Sequence, residues 1–77
     1  MVDNIYLIKD VARLSGLSIY TIKYYLKIGM IQEAGRSPET NFRYFDDAVL
    51  KRLRKIKDYR RNRISLRKIK GLLSEEQ

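Results

Sequence analysis

Two glycines, Gly16 and Gly29, divide the N-terminal part of the chain into segments that leave room only for brief helices. The segments 9–15 and 19–28 carry apolar residues at helical spacing, and one of the glycines follows each segment. Glycine ends helices because it adopts the left-handed conformation without strain. Ser18 can cap the start of the second helix. The pattern predicts two short helices joined by a tight turn, which is a helix-turn-helix.

The apolar residues of both segments predict the buried sides of the helices. Each set recurs at a spacing of three or four residues, which brings its members to one face. The predicted buried residues are Val11, Ala12 and Leu14 with Ile8 just before them, then Ile19, Ile22 and Leu26, with the Tyr25 ring beside them and its hydroxyl at the rim.

The outward side of the second helix is rich in tyrosine and lysine. At about 100° per residue, Tyr20, Tyr24 and Lys27 fall together on this side, and Lys23 lies at its border. Lysine supplies charge for a phosphate, while a tyrosine can donate its hydroxyl to phosphate and lay its ring on a sugar or a thymine methyl. The start of the helix also favours anions. The pattern alone does not decide between this function and tyrosines that cover a neighbouring element.

The segment 30–45 has the composition of a small β-hairpin. It opens on an apolar pair, continues through the polar stretch 32–41 with a glycine and the only proline, and ends in the aromatic run 42–45. A hairpin that follows a helix-turn-helix is called a wing.

Five side chains of this wing have predicted positions. We expect Phe42 and Phe45 to pack inward and Tyr44 to be exposed. Arg36 is expected at the tip, where it reaches a phosphate or a minor groove or remains a flexible surface arginine. Arg43 is expected to contact the nucleic-acid backbone.

Two further helices are predicted at 46–61 and 65–73. Asp46 and Asp47 place negative charge at the start of the first, which explains them better than a catalytic carboxylate pair. Ser65 caps the second. The predicted buried residues are Val49, Leu53, Ile56 and Tyr59, then Leu66, Ile69, Leu72 and Leu73. Residues 62–64 form a break, and residues 74–77 are expected to fray.

The charge of the chain points to a polyanion as partner. Seventeen Lys and Arg residues against nine Asp and Glu give a net charge of +8 in 77 residues. Residues 43–70 hold twelve basic and three acidic residues, a net charge of +9. Charged helix faces normally mix signs, so we interpret this stretch as an electrostatic footprint that raises affinity without selecting sequence. A solvated face is the alternative.

Length and composition exclude several classes of protein. The chain suits one domain, residues 1–77, and 44% hydrophobic residues argue against disorder. The absence of Cys and His excludes a disulfide scaffold, a zinc finger and a Cys or His catalytic centre. No apolar run approaches the length of a membrane span, and the N-terminus lacks the pattern of a secretory signal peptide. We therefore expect a cytoplasmic protein that is not an enzyme and uses no cofactor, metal or membrane.

Several short motifs follow one another in a fixed order. They are Ile8 to Ala12, Gly16-Leu17-Ser18, Thr21-Ile22-Lys23-Tyr24-Tyr25, Ile28-Gly29-Met30-Ile31, Asn41-Phe42-Arg43-Tyr44-Phe45, and Ser65-Leu66 with Ile69 and Leu72-Leu73. In this order they resemble the N-terminal DNA-binding domain of MerR-type transcription regulators. That family typically shows Gly-Val-Ser, Thr-Ile-Arg-Tyr-Tyr, Ile-Gly-Leu-Leu and Gly-Tyr-Arg-x-Tyr at the corresponding places. The resemblance covers about residues 6–73.

The resemblance implies a mostly α, winged helix-turn-helix fold with four short helices and a two-stranded β-hairpin wing. The recognition helix enters the major groove, and the wings contact the flanking backbone. Family members usually dimerise through a long C-terminal helix, bind inverted repeats in promoters and distort the DNA so that RNA polymerase can engage. A C-terminal domain commonly senses the inducer. No heptad helix follows Leu73, so we expect a monomer, and a dimer where a longer C-terminal helix exists.

Four positions depart from the family pattern. Lys23 stands in place of an arginine and lacks its bidentate fork. Tyr20 replaces another arginine, and Leu26 replaces a glutamate. Arg63 stands where a glycine precedes the last helix, so we expect Asn62 to take the left-handed conformation. These changes affect base preference more than fold.

The residues predicted to bind double-stranded DNA come from the turn, the outward side of the second helix and the wing. They are Ser18, Tyr20, Thr21, Lys23, Tyr24, Lys27, Arg36, Arg43 and Tyr44. The expected function is sequence-specific DNA binding in transcription regulation, in association with the nucleoid. Two alternatives stay open. One is a small architectural factor of the excisionase type, and the other is an RNA-binding or ribosome-associated basic protein.

Overall fold

The computed structural model describes residues 4–75, and this part of the chain contains four helices and a small hairpin. The elements are α1 (Ile8–Ser15), α2 (Ile19–Lys27), β1 (Gly35–Arg36), β2 (Arg43–Tyr44), α3 (Asp47–Arg61) and α4 (Leu66–Glu75). The two strands are antiparallel, with Gly35 opposite Tyr44 and Arg36 opposite Arg43. The predicted winged helix-turn-helix fold is confirmed. The fraying expected for residues 74–77 is wrong for Ser74 and Glu75, which lie in α4, and the rest of that expectation falls outside the described residues.

All four helices and the end of the wing bury side chains in one apolar core. Burial of this kind is the main term that stabilises a small domain. The buried residues of the described chain are Val11, Ile22, Tyr25, Met30, Ile31, Phe45, Val49, Leu53, Ile56, Ile69 and Leu73.

Three residues predicted to be buried are exposed instead. Leu14 is 50% exposed, because the buried side of α1 is centred on Ile8 and Val11 and Leu14 lies about 90° from its centre. Ile19 is the first residue of α2 and is 40% exposed. Tyr25, with Ile22, forms the buried side of this helix instead. Phe42 is 65% exposed, because it precedes β2 and side chains alternate along an extended chain.

Side-chain oxygens cap the starts of three helices, and the caps at Ser18 and Ser65 were predicted from the sequence. Ser18 Oγ accepts a hydrogen bond from the Thr21 amide at 3.0 Å. Asp46 Oδ1 accepts one from the Val49 amide at 3.3 Å. Ser65 Oγ does the same for the Lys68 amide at 3.3 Å. Each bond satisfies an amide that has no partner inside its helix.

Helix α2 ends in a Schellman motif centred on Gly29. The Met30 amide donates to the Tyr25 carbonyl at 2.9 Å, and the Gly29 amide donates to the Leu26 carbonyl at 3.2 Å. Gly29 has φ +81°, a left-handed conformation that glycine adopts without strain.

Helix α3 ends in the same motif, but an arginine holds the left-handed position. The Ile64 amide donates to the Tyr59 carbonyl at 3.1 Å, and the Arg63 amide donates to the Arg60 carbonyl at 2.9 Å. Arg63 has φ +62°, whereas Asn62 has φ −89°. The prediction that Asn62 takes the left-handed conformation is therefore wrong. The motif places its left-handed residue one position later, where the family has glycine.

Replacement of Arg63 by glycine is expected to stabilise the domain by about 0.5–1 kcal/mol, since a left-handed conformation costs a side chain about 1–2 kcal/mol and glycine loses part of that gain to entropy. For a domain of this size, thermal denaturation should show a melting temperature a few degrees higher, roughly 2–8 °C. Asn62→Gly is the matched control, because Asn62 already has a negative φ. An equal or lower melting temperature for Arg63→Gly would contradict the strain argument.

The chain ahead of α1 pairs with the end of the wing, which the sequence pattern did not predict. The Tyr6 amide donates to the Phe45 carbonyl at 2.8 Å, and the Phe45 amide donates back at 2.7 Å. The Tyr6 hydroxyl donates to Asp47 Oδ1 at 2.7 Å, and this bond raises the pKa of the phenol. The wing and the start of α3 are thereby tied to the N-terminal segment.

Candidate nucleic-acid interface

The outward side of α2 carries the tyrosines and lysines that the helical wheel placed there. Tyr20 is 81% exposed and Tyr24 is 44% exposed, and Lys23 and Lys27 are exposed beside them. Tyr25 is buried, as predicted, and its ring centroid lies 6.3 Å from that of Tyr24. The helix therefore offers two aromatic rings and two ammonium groups to a partner.

Ser18 and Thr21 form the start of α2 together. The Ser18 hydroxyl donates to Thr21 Oγ1 at 2.9 Å while it accepts the Thr21 amide. Both hydroxyls are thus engaged in the cap, and Thr21 is half-buried. Their contribution to an interface would be the positive end of a well-formed helix, which attracts anions.

A groove of about 600 Å³ runs between the start of α1, α2 and the wing. Its apolar surface includes Leu7, 41% exposed, and Phe42. Cations surround this apolar surface. The lining residues are Leu7, Ile8, Lys9, Lys23, Arg36, Asn41, Phe42 and Arg43. Such a groove can hold a phosphate at its rim and a sugar against its floor.

Five members of this groove were not among the predicted site residues, namely Leu7, Ile8, Lys9, Asn41 and Phe42. Lys9 was the first residue of a predicted helix, a position with no special chemistry of its own. Leu7 lies ahead of that helix, and Phe42 was assigned to the core. Only the fold brings them together in one groove. For Leu7 and Phe42, the exposure of a large apolar side chain is the signal that identifies them.

Glu33 holds both wing arginines. Arg36 Nε donates to Glu33 Oε2 at 2.6 Å, and Arg43 Nε donates to Glu33 Oε1 at 2.9 Å. Arg36 and Arg43 are cross-strand partners, and like charges at such positions repel each other. The carboxylate between them removes this penalty. Arg36 was predicted at the wing tip but lies in β1, because the turn is formed by the residues that follow it.

The hydrogen bond from Arg36 and the charges of both arginines hold the pKa of Glu33 below its ordinary value. A group with a lowered folded pKa stabilises the protein above its unfolded pKa, and that stability is lost as pH falls through the folded pKa. Glu33→Gln is therefore expected to melt below the wild type at neutral pH.

The two melting temperatures are expected to approach each other as pH falls below the unperturbed glutamate pKa of about 4.3, and to converge once pH is below the lowered folded pKa of Glu33. Thermal denaturation across pH checks this prediction. Glu39→Gln, in the exposed turn, is the control, and we expect it to follow the wild type throughout. A Glu33→Gln deficit that persists unchanged at acid pH would contradict it.

Tyr44 is half-buried, although the sequence predicted an exposed side chain. Its ring lies across Gly35, and a Cβ at that glycine would collide with the tyrosine hydroxyl. The Tyr44 carbonyl accepts the Ala34 amide at 2.9 Å. The cause is the pairing of Gly35 with Tyr44, which opens space for the ring across the hairpin.

Arg52, Lys57 and Lys70 of the basic stretch bind backbone carbonyls of the segment 15–30. Arg52 Nε lies 2.6 Å from the Met30 carbonyl oxygen. Lys57 Nζ lies 2.7 Å from that of Ser15, and Lys70 Nζ lies 2.8 Å from that of Ile28. For Arg52, Lys57 and Lys70, the footprint interpretation is therefore incomplete, because these side chains join α3 and α4 to the helix-turn-helix.

Residues 4–75 contain neither a membrane-spanning helix nor a cluster of metal ligands. No helix there is long and apolar enough to cross a membrane. No group of three or more Asp and Glu residues in the same part of the chain is arranged to hold a metal ion.

The fold and the exposed basic face define a winged helix-turn-helix protein of the regulatory class. The model of the MerR HTH family of regulatory proteins matches residues 6–76. The chain belongs to this family.

Individual relatives agree with this assignment. The HTH-type transcriptional regulator CueR of Bacillus subtilis is 35% identical over 71 residues, which are 92% of this chain and 48% of the relative. The solved structure of the HTH-type transcriptional regulator SkgA from Caulobacter crescentus superposes with a TM-score of 0.79 at 31% sequence identity. The superposition covers 88% of this chain and 48% of the SkgA chain. The solved structure of a MerR-family transcriptional regulator from Bacillus cereus superposes with a TM-score of 0.85 over 91% of this chain and 52% of the Bacillus cereus chain. The sequence identity is 20%, so this similarity concerns the fold alone. The chain thus spans about half the length of these relatives.

Proposed function

We propose that this domain binds double-stranded DNA, with α2 in the major groove and the wing on the flanking backbone. One observation carries the proposal. Lys23 belongs both to the outward side of α2 and to the groove beside the wing, so the two surfaces form one continuous basic face. A helix that enters a major groove with a wing beside it needs such a face.

The groove beside the wing is suited to the sugar-phosphate backbone. Lys9, Lys23 and Arg43 would neutralise phosphates. Leu7 and Phe42 would contact a deoxyribose between them. Arg36 and Arg43 are both bonded to Glu33, so each would bind a phosphate once that phosphate competes with Glu33 for the guanidinium, since both are anionic acceptors that a guanidinium can bind through two hydrogen bonds.

The exposed side of α2 is suited to base edges. Tyr20 and Tyr24 can place their rings on thymine methyls, and Lys27 can reach a guanine or a phosphate. Ser18 and Thr21 would act through the helix start that they cap. Tyr44 would support the wing from its half-buried position rather than read a base.

The wider role follows from family membership. We propose that DNA binding serves transcription regulation on the nucleoid, with RNA polymerase as the protein that responds. The chain as given would be a monomer, and a longer C-terminal helix would make it a dimer. Sedimentation at micromolar concentration tests the first point, because a mass twice 9.2 kDa would contradict it.

The experiment is a fluorescence-anisotropy titration of labelled duplex DNA, repeated across salt, with duplex RNA as competitor. The four cations of the groove and Lys27 would neutralise about five phosphates, so log K should fall against log salt with a slope of about −4 to −5. Resistance to RNA competition is expected, because α2 cannot enter the narrow major groove of an RNA duplex. Equal competition by RNA, or a slope near zero, would contradict the proposal.

A further inference from the structure

Two lysines, Lys57 and Lys70, close the two helices of the helix-turn-helix in the same way. Lys57 Nζ lies 2.7 Å from the carbonyl oxygen of Ser15, the last residue of α1. Lys70 Nζ lies 2.8 Å from the carbonyl oxygen of Ile28, the C-cap of α2. The C-terminal end of a helix carries negative partial charge, so each ammonium group lies where a cation is favoured.

The glycine that follows each carbonyl leaves space for the lysine. A Cβ at Gly16 would lie 3.4 Å from Lys57 Nζ, and one at Gly29 would lie 3.3 Å from Lys70 Nζ. Both glycines are left-handed, with φ values of +76° and +81°. Both glycines therefore turn the chain, and at Gly29 the absence of a Cβ also spares Lys70 Nζ a contact tighter than an ordinary van der Waals contact.

We infer that Lys70 is a positioning residue for DNA binding, which acts by holding the C-terminal end of α2 against α4 and not by contact with DNA. This inference rests on the proposed DNA-binding function. The last turn of α2 contains Tyr24 and Lys27, so a shift of the Ile28 end would move both of them relative to the wing. Lys70 is exposed, and its charge alone would suggest a phosphate contact. Its bond to the Ile28 carbonyl indicates that it positions α2 instead.

Salt dependence separates these two roles. A lysine that neutralises a phosphate contributes about 0.9 to the slope of log K against log salt, whereas a positioning residue contributes to K but not to the slope. The variants to compare are Lys70→Met, Lys70→Arg and Lys68→Met, titrated against labelled duplex DNA at a temperature where circular dichroism shows each to be folded. Lys68→Met is the matched control, since it removes the same charge from an exposed position of the same helix.

We expect Lys70→Met to bind about three- to tenfold more weakly than the wild type, with its slope unchanged. Lys70→Arg should recover most of the affinity, because a guanidinium can donate to the same carbonyl. Lys68→Met should either leave affinity unchanged or lower affinity and slope together. A slope reduced by about 0.9 in Lys70→Met, an affinity equal to the wild type, or no recovery in Lys70→Arg would overturn the inference.

Amide hydrogen exchange at the end of α2 tests the same contact without DNA. The Ile28 amide donates to the Tyr24 carbonyl at 3.0 Å, and we expect its exchange to accelerate in Lys70→Met but not in Lys68→Met. Equal exchange in the two variants would overturn the inference. If the wild type shows no salt-dependent binding of duplex DNA, the proposed function fails, while accelerated exchange would still support the role of Lys70 in holding α2.

Discussion

Replacement of Phe45 by alanine is expected to lower the free energy of unfolding by about 3–5 kcal/mol, a large share of the total stability of the domain. Phe45 is fully buried, and removal of such a ring costs about 3–5 kcal/mol. At about 0.05–0.15 kcal/mol per residue, a domain of 77 residues has a total stability of about 4–12 kcal/mol. The loss also falls where the wing, the segment before α1 and α3 meet, because Phe45 pairs with Tyr6 and precedes the capping residue Asp46.

Urea denaturation followed by circular dichroism measures this loss. Phe42→Ala is a close control, because it is the same substitution three positions earlier at a side chain that is 65% exposed. Its stability should stay within about 0.5 kcal/mol of the wild type. Similar midpoints for the two variants would show that the burial of Phe45 does not support the fold as described.

Reversal of charge at Lys23 is expected to weaken duplex DNA binding by about tenfold or more, because this lysine joins the α2 face to the groove. The salt slope should fall by about 0.9 or more, since one neutralised phosphate is lost and an anion takes its place. The variant is Lys23→Glu, and anisotropy across salt is the measurement. Lys23 is exposed, so the melting temperature should change little.

Lys51→Glu provides the control for charge. Both variants lower the net charge from +8 to +6, but Lys51 lies on the exposed side of α3 and does not line the groove. Long-range electrostatics alone would weaken both variants equally. If they bind equally well, Lys23 has no special place at the interface, and the assignment of α2 as the recognition helix is wrong.

Local features of the fold could be predicted from the sequence because their partners are close in the chain. Ser18, Asp46 and Ser65 each cap an amide three residues later, so residue type and position suffice. The same holds for the end of α2 at Gly29. At the end of α3 the prediction failed by one residue, because the motif fixes the left-handed position and Arg63 tolerates it.

Features that join distant segments could not be predicted. The lysines that close α1 and α2 are 42 residues away from the carbonyls they bind, and nothing in the sequence around Lys57 or Lys70 distinguishes them from other basic residues. A helical wheel gives the periodicity of α2 but not the direction of its neighbours, so it assigned Ile19 to the core. The outward positions of Tyr20 and Tyr24 depend on that periodicity alone, and their prediction was correct.

The bond between Lys70 and the end of α2 couples the position of α4 to that of α2. A displacement of α4 is therefore expected to move the C-terminal end of α2, which carries Tyr24 and Lys27. A displacement of the segment at Tyr6 is instead expected to move the wing, through the Tyr6–Phe45 bridge. Helix α4 and the N-terminal segment are therefore coupled to different parts of the proposed interface. Helix α4 is coupled to α2, and the segment at Tyr6 is coupled to the wing.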